Sequence, residues 1–249
     1  MMVQYKLNRC HMEPEGNDAP FESKAFDLLT AGDVAAAVAT ITASRDSLAA
    51  MDALARLCQR AYRELKSVPT MTAVAWEAIG FGLQCAAASP DPESARRYTS
   101  GARAIAYNAG ANCWPGWGDA VEISPADVAE GLKLAGRNYQ LVAQLALGDK
   151  AMGAALWLIG ALEMAAGRLG EAIGRFRSAE EAFHAAQLPA QEAMARGYAL
   201  LAAKLLPASH FRSTDSLEAV LLSLRAMGSP EAQFFAGQLA TADRIFSER

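Results

Sequence analysis

Residues 153–186 have the sequence GAALWLIGALEMAAGRLGEAIGRFRSAEEAFHAA, and this stretch decides the fold. Its apolar residues recur at helical spacing on both sides of Gly167, which predicts two helices joined by a short turn. Gly160 and Ala172 are small enough to let the two helices approach closely, and Phe176 fills the gap between them. Such a hairpin cannot bury its apolar faces alone, so it predicts stacked neighbours.

The rest of the chain has the same helical character. Hydrophobic residues make up 52% of its 249 residues, and the alanine-rich composition favours helix over strand. No segment has the strict alternation of a half-buried strand. The sequence therefore predicts an all-α fold of about eleven helices, stacked as antiparallel hairpins. The predicted helices are 20–31, 33–44, 47–66, 70–88, 91–109, 125–147, 150–166, 168–186, about 189–205, about 215–227 and about 230–246.

Two segments fall outside the helical pattern. Residues 1–19 lack periodicity and contain several helix breakers, which predicts a disordered or loosely docked arm before a single domain over residues 20–249. Residues 110–123 form the one long irregular stretch between helices. The residues Ser124 to Asp127 then predict a helix start, with a capping serine, a proline in the first turn and an acid near the positive helix end.

Charge and motif content exclude several classes of protein. The net charge of −4 argues against a nucleic-acid partner, which would need a basic face. No long apolar run or leader is present, so we expect no membrane span and a cytoplasmic protein. The four cysteines lack zinc-site spacing and indicate free thiols. His11, His184 and His210 lack the spacing of metal ligands, so we expect no metal, no cofactor and no catalytic residues.

The small residues and the phenylalanine of the quoted stretch resemble the tetratricopeptide repeat. The pattern consists of Gly160, Gly167, Ala172, Phe176 and Ala179. Two positions depart from it, since Ile159 replaces the usual leucine and Glu163 replaces the usual tyrosine.

Weaker copies of the pattern appear on both sides. Gly197 and Tyr198 suggest a second copy that starts near Pro189, with a slightly lengthened connection, and Gly32 with Ala37 suggests an echo near the start of the chain. The resemblance implies a right-handed stack of helix pairs with a concave face that holds peptides or partner proteins. It implies no cofactor and no chemistry.

In repeats of this family the first helix of each pair lines the concave face. Here those positions would be apolar, and an exposed apolar groove needs a cover. The cover could be a partner helix, a second copy, a small apolar ligand or this chain's own extra helices. We favour the last, because apolar helical stripes usually mean core. The inner positions are Ala154, Trp157, Ala161, Met164, Gln191, Met194, Tyr198 and Leu201.

Trp114 and Trp117, in the irregular stretch, are the best candidates for a special site. Two tryptophans on one loop could grip an apolar ligand or a partner chain, although inward packing is the favoured interpretation because tryptophan is mostly buried. If the loop folds over the neighbouring helices, polar side chains could converge beneath it. Those side chains are Tyr107, Asn108, Arg137 and Asn138.

The sequence thus predicts a non-enzymatic interaction module that binds a protein, a peptide or a second copy of itself as a homodimer. The alternative is a small-molecule binder or sensor with a pocket under the Trp114–Trp117 loop. An all-α enzyme ranks last. The candidate binding residues are Trp114, Trp117, Arg137, Asn138, Trp157, Met164, Met194 and Tyr198.

Overall fold

A computed structural model describes residues 19–43, 46–207 and 216–248. This part of the chain is all-α, as predicted, with eleven α-helices, one short 3-10 turn at Pro115–Trp117 and no strand. The predicted arm falls outside the described residues except for Ala19, and so do His11 and His210. The helices are α1 Ala19–Thr30, α2 Val34–Ala43, α3 Ser47–Arg63, α4 Val68–Ala88, α5 Pro92–Asn112, α6 Pro125–Gln144, α7 Asp149–Ala165, α8 Leu169–Ala185, α9 Pro189–Lys204, α10 Leu217–Ala226 and α11 Pro230–Ser247.

The start of α6 is capped as its sequence predicts. The Ser124 hydroxyl accepts from the Asp127 backbone N–H at 3.2 Å, and the Asp127 carboxylate accepts from the Ser124 backbone N–H at 2.8 Å. This reciprocal pair satisfies donors that the first helical turn leaves free. The same cap fixes where the irregular stretch ends.

Three helices end at positions that differ from the prediction. Helix α5 runs through Gly110 to Asn112, because Gly110 keeps a helical conformation and is buried. Helices α3 and α6 stop about a turn early, because the chain turns left-handed at Lys66 (φ 51°) and Ala146 (φ 49°). A glycine therefore does not by itself end a helix here, and a non-glycine residue can.

One type of turn joins successive helices in the second half of the chain. Ala146, Gly167 and Gln187 each have positive φ and follow α6, α7 and α8. In each turn this residue and the next donate their N–H groups back to the last helical turn, which satisfies carbonyls that the helix end leaves free. The connections are short, so neighbouring helices run antiparallel.

The chain divides into two compact units, Met1–Asn112 and Cys113–Arg249. In the first unit α1 packs on α2 and α3, α3 packs on α4, and α4 packs on α5. Leu54, Ile41 and Met71 are among its fully buried side chains. The single domain expected over residues 20–249 stays a prediction.

In the second unit α6 packs on α7, α7 on α8 and α8 on α9, so each helix contacts its neighbours along the chain. A β-carbon on Gly160 would lie 3.0 Å from the Phe176 ring, so the glycine allows the close approach that the sequence predicts. The order changes after α9, which contacts both α10 and α11. A β-carbon on Gly197 would overlap Leu239 of α11. None of the described helices combines the length and apolar character needed to cross a membrane.

Candidate functional site: an aromatic cluster in the second unit

Three aromatic side chains from distant parts of the sequence meet inside the second unit. Trp157 lies on α7, Tyr198 on α9, and Trp114 directly before the 3-10 turn. The ring centroids are 5.3 Å apart for Trp157 and Tyr198, 5.5 Å for Trp114 and Trp157, and 5.8 Å for Trp114 and Tyr198. All three pairs meet edge to face, the arrangement that aromatic quadrupoles favour. We call these three residues the aromatic cluster.

Further rings surround the aromatic cluster. The Trp117 ring lies 4.9 Å from that of Trp114 and 6.0 Å from that of Trp157. Phe246 of α11 stacks on Trp114 at 6.2 Å, and Phe176 of α8 stacks on Tyr198 at 5.4 Å. The chain's own loop therefore covers Trp157 and Tyr198, and its last helix packs on that loop.

The local sequence explains how Trp114 is placed. Its backbone is extended, Pro115 begins the 3-10 turn, and Gly118 ends it in the left-handed region at φ 69°. The turn folds back so closely that a β-carbon on Gly116 would overlap the Trp114 indole. Proline and glycine at these positions thus place the ring under the turn, which is the inward packing favoured from the sequence.

The polar atoms of the aromatic cluster are buried and have no partner in the part of the chain that the structure describes. The Nε1 atoms of Trp114 and Trp157 and the hydroxyl of Tyr198 make no hydrogen bond to any described residue. Trp114 is 1% exposed, and Trp157 and Tyr198 are fully buried. Burial raises the pKa of Tyr198 well above its ordinary value. Unpaired buried polar atoms are few in folded proteins, so three in one contact group call for an explanation.

The remaining predicted site residues lie in different environments. Met164 is 2% exposed and Met194 is fully buried, so neither offers surface to a partner. Asn138 is buried, and neither atom of its amide has a partner among the described residues. Arg137 is half-buried and donates to Gln140 on the same helix at 3.1 Å.

Convergence of polar side chains beneath the tryptophan loop stays a prediction. Tyr107 and Asn108 belong to the first unit, while Arg137 and Asn138 belong to the second.

In the first unit Asn108 lines a water-sized pocket between α3 and α5, together with Cys58, Gln59 and Asn112. Burial raises the pKa of the Cys58 thiol to about 12, so this cysteine is present as the unreactive thiol.

Two buried polar residues of the second unit were not among the predicted site residues. Gln238 of α11 is 7% exposed, and both atoms of its amide lack partners among the described residues. Glu163 of α7 is buried, and its Oε1 lies 3.8 Å from Arg175 Nε. Burial raises the pKa of Glu163, while Arg175 and Arg168 oppose the rise. Gln238 lies on a helix at ordinary spacing, which gives no sequence signal of burial, whereas Glu163 stands where the repeat pattern usually has a tyrosine.

No group of acidic, histidine or cysteine side chains in the described part of the chain has the arrangement of a metal site. Comparisons with protein-family models, with curated proteins and with solved structures find no match. The structure defines the class of the protein at the level of an all-α helical stack. Its aromatic cluster is the candidate functional site.

Proposed function

We propose that this chain is a non-enzymatic interaction module of the helical-repeat type, whose second unit binds a partner polypeptide on the inner positions of α7 and α9 once the chain's own Trp114 segment has been displaced from them. The observation that carries the proposal is the position of Trp114. This side chain comes from a non-helical segment of the chain, yet it packs against Trp157 of α7 and Tyr198 of α9. The inner positions thus already hold one irregular, aromatic segment.

The packing of α7 and α8 supports a tetratricopeptide-like unit. Gly160 and Phe176 are in close contact, and Gly167 forms a left-handed turn at φ 76° between the two helices. Those three positions belong to the pattern that the sequence shares with the family. The partner we propose is a protein or peptide, including a second copy of this chain, in the cytoplasm.

The test adds the tryptophan loop to the protein as a separate peptide. The full-length Trp114→Ala variant removes the buried ring, and a synthetic peptide of residues 111–120, ANCWPGWGDA, is titrated into it by calorimetry. We expect saturable binding, because the peptide tryptophan can occupy the space that the substitution leaves between Trp157 and Tyr198. Circular dichroism checks that the variant is folded, and Trp114→Leu, which leaves a smaller cavity, serves as a second variant.

Two controls show whether the peptide binds at the position that Trp114 occupies in wild type. The wild-type chain should bind the peptide much more weakly than the variant, because its own Trp114 competes for the position, and a peptide with alanine in place of both tryptophans should not bind the variant. A folded Trp114→Ala variant that does not bind the tryptophan peptide would refute the proposal. Equal binding of the peptide to wild type and variant would place the contact elsewhere and refute it as well.

A further inference from the structure

We propose that the aromatic cluster is also a binding site for a small, uncharged, largely apolar molecule that carries a hydrogen-bond acceptor. This inference goes beyond polypeptide binding and does not depend on it. It rests on three polar atoms that have no partner among the described residues, at Trp114, Trp157 and Tyr198, whose rings are in mutual contact.

The chemistry of the three atoms selects an acceptor. An indole N–H can only donate, so neither Trp114 nor Trp157 can satisfy the other through Nε1. The Tyr198 hydroxyl can donate or accept, and it too lacks a partner among the described residues. A carbonyl or ether oxygen brought to this site would accept from these donors. The aromatic faces around it would contact the apolar remainder of the molecule.

The electrostatics of the site select an uncharged molecule. Burial is the cause of the raised pKa of Tyr198, and no charge on a described residue contributes to it. In the first unit, by contrast, Arg103 acts on Tyr107 against the effect of burial. An anion at Tyr198 would lose its hydration, and no charged group of the described residues acts on this position to compensate it, which is strongly unfavourable. A neutral acceptor avoids that cost.

Trp117 provides the route of entry. It is the half-buried member of the tryptophan pair, whereas Trp114 is 1% exposed. It lies at the end of the 3-10 turn, next to Gly118 in the left-handed region. The Trp117 ring lies against Trp114 and Trp157, and Gly118 packs on Thr241 of α11, so a ligand would have to displace the turn from α11 to reach the aromatic cluster. The ligand must be small, because the rings of the closed cluster are in direct contact.

The experiment compares three probes of similar shape by two-dimensional NMR of the tryptophan indole N–H groups. Acetophenone carries a neutral acceptor, ethylbenzene has none, and benzoate is charged. The chain has four tryptophans, and the Trp76→Phe, Trp114→Phe, Trp117→Phe and Trp157→Phe variants assign the four resonances. We expect acetophenone to shift the Trp114 and Trp157 resonances in a saturable manner and to bind about tenfold more tightly than ethylbenzene or benzoate.

Tyr198→Phe is the matched variant, because it removes one hydroxyl and keeps the ring. It should weaken acetophenone binding several-fold and leave ethylbenzene binding unchanged. Equal affinity for acetophenone and ethylbenzene would show a purely apolar cavity and overturn the proposal. Absence of any shift at Trp114 and Trp157 would overturn it too. Neither result bears on peptide binding by the Trp114→Ala variant, so the two proposals fail separately.

Discussion

Gly160 of α7 lies directly against the ring of Phe176 of α8: a β-carbon on the glycine would stand 3.0 Å from both Cδ1 and Cε1 of that ring. Phe176 is fully buried and stacks on Tyr198 of α9 at 5.4 Å. The ring therefore cannot move away without disturbing the aromatic cluster. This contact links the repeat-like hairpin to the candidate site.

Gly160→Ala should destabilise the protein by about 1–3 kcal/mol, because the added methyl group overpacks a buried contact. The gain in helix propensity of up to about 1 kcal/mol offsets part of that loss. Gly174→Ala is the control, since a β-carbon there meets nothing within 4 Å and the helix conformation is ordinary. The free energy of unfolding, measured in urea, should be lower than that of wild type for Gly160→Ala and higher for Gly174→Ala. A higher free energy of unfolding for both variants would contradict the close contact between Gly160 and Phe176.

Gly167→Ala should cost about 1 kcal/mol for a different reason. A β-carbon at Gly167 meets no atom within 4 Å, but the residue has a φ of 76°, which alanine adopts only with strain. Gly170→Ala, an open position in the same hairpin with no positive φ, should be neutral or stabilising. Thermal unfolding of the two variants separates backbone strain from packing. Equal melting temperatures would argue against a left-handed turn at Gly167.

The sequence predicted the helices well because helical periodicity and turn residues are local signals. The cap at Ser124 and the turn at Gly167 were both predicted from neighbouring residues, whereas the return bond from the Ser124 backbone to Asp127 was not. The left-handed turns at Ala146 and Gln187 were not, because neither residue prefers that conformation. In both turns this residue and the next donate their N–H groups to the preceding helix, an arrangement that requires the left-handed conformation.

The candidate site was predictable only in parts. Trp114, Trp157 and Tyr198 were each singled out, as loop residue or as inner-face residue. Their meeting was not foreseen, because it depends on how a 3-10 turn folds back onto helices that come tens of residues later. The buried amides of Asn138 and Gln238 also depend on packing, although Asn138 was noted as an interruption of an apolar stripe.

Tyr198→Phe should leave the ligand-free protein as stable as wild type or about 1 kcal/mol more stable. The substitution removes a buried hydroxyl that has no partner among the described residues, and removing such a group relieves its desolvation cost. Tyr139→Phe on α6, at a half-buried position, should change stability by no more than about 0.5 kcal/mol. Chemical unfolding gives the free energy of unfolding of wild type, Tyr198→Phe and Tyr139→Phe. A loss above about 1 kcal/mol for Tyr198→Phe would mean that the hydroxyl is hydrogen-bonded in solution.

Glu163→Gln should change how stability depends on pH. Burial raises the pKa of Glu163 above its ordinary value of 4.5, so the folded state favours the protonated form. The resulting stabilisation is complete below the unfolded-state pKa and is lost as the pH rises through the folded-state pKa. Glutamine stays neutral, so the variant should gain stability relative to wild type as the pH rises from about 4 to about 7.

Glu181→Gln, at an exposed position of α8, provides the control for Glu163→Gln. The measurement is urea unfolding of the three proteins at a series of pH values. A difference between wild type and Glu163→Gln that stays constant with pH would contradict the raised pKa. A difference that falls with rising pH would mean that the ion pair with Arg175 outweighs burial.

While the tryptophan loop is in place, Trp157 should act on folding and not on association, because it is fully buried inside its own unit. Trp157→Ala should cost about 3–5 kcal/mol, as large-to-small substitutions of buried aromatic residues do, whereas Leu222→Glu, at a residue that is 57% exposed, should change stability by no more than about 0.5 kcal/mol.

Light scattering on a size-exclusion column, over a range of concentrations, then gives the mass of wild type and of Trp157→Phe, which keeps an aromatic ring at the position. The two masses should agree at every concentration. A wild-type dimer that Trp157→Phe converts into a folded monomer would show instead that the inner positions of α7 and α9 form an interface between two copies, with the tryptophan loop displaced to allow it.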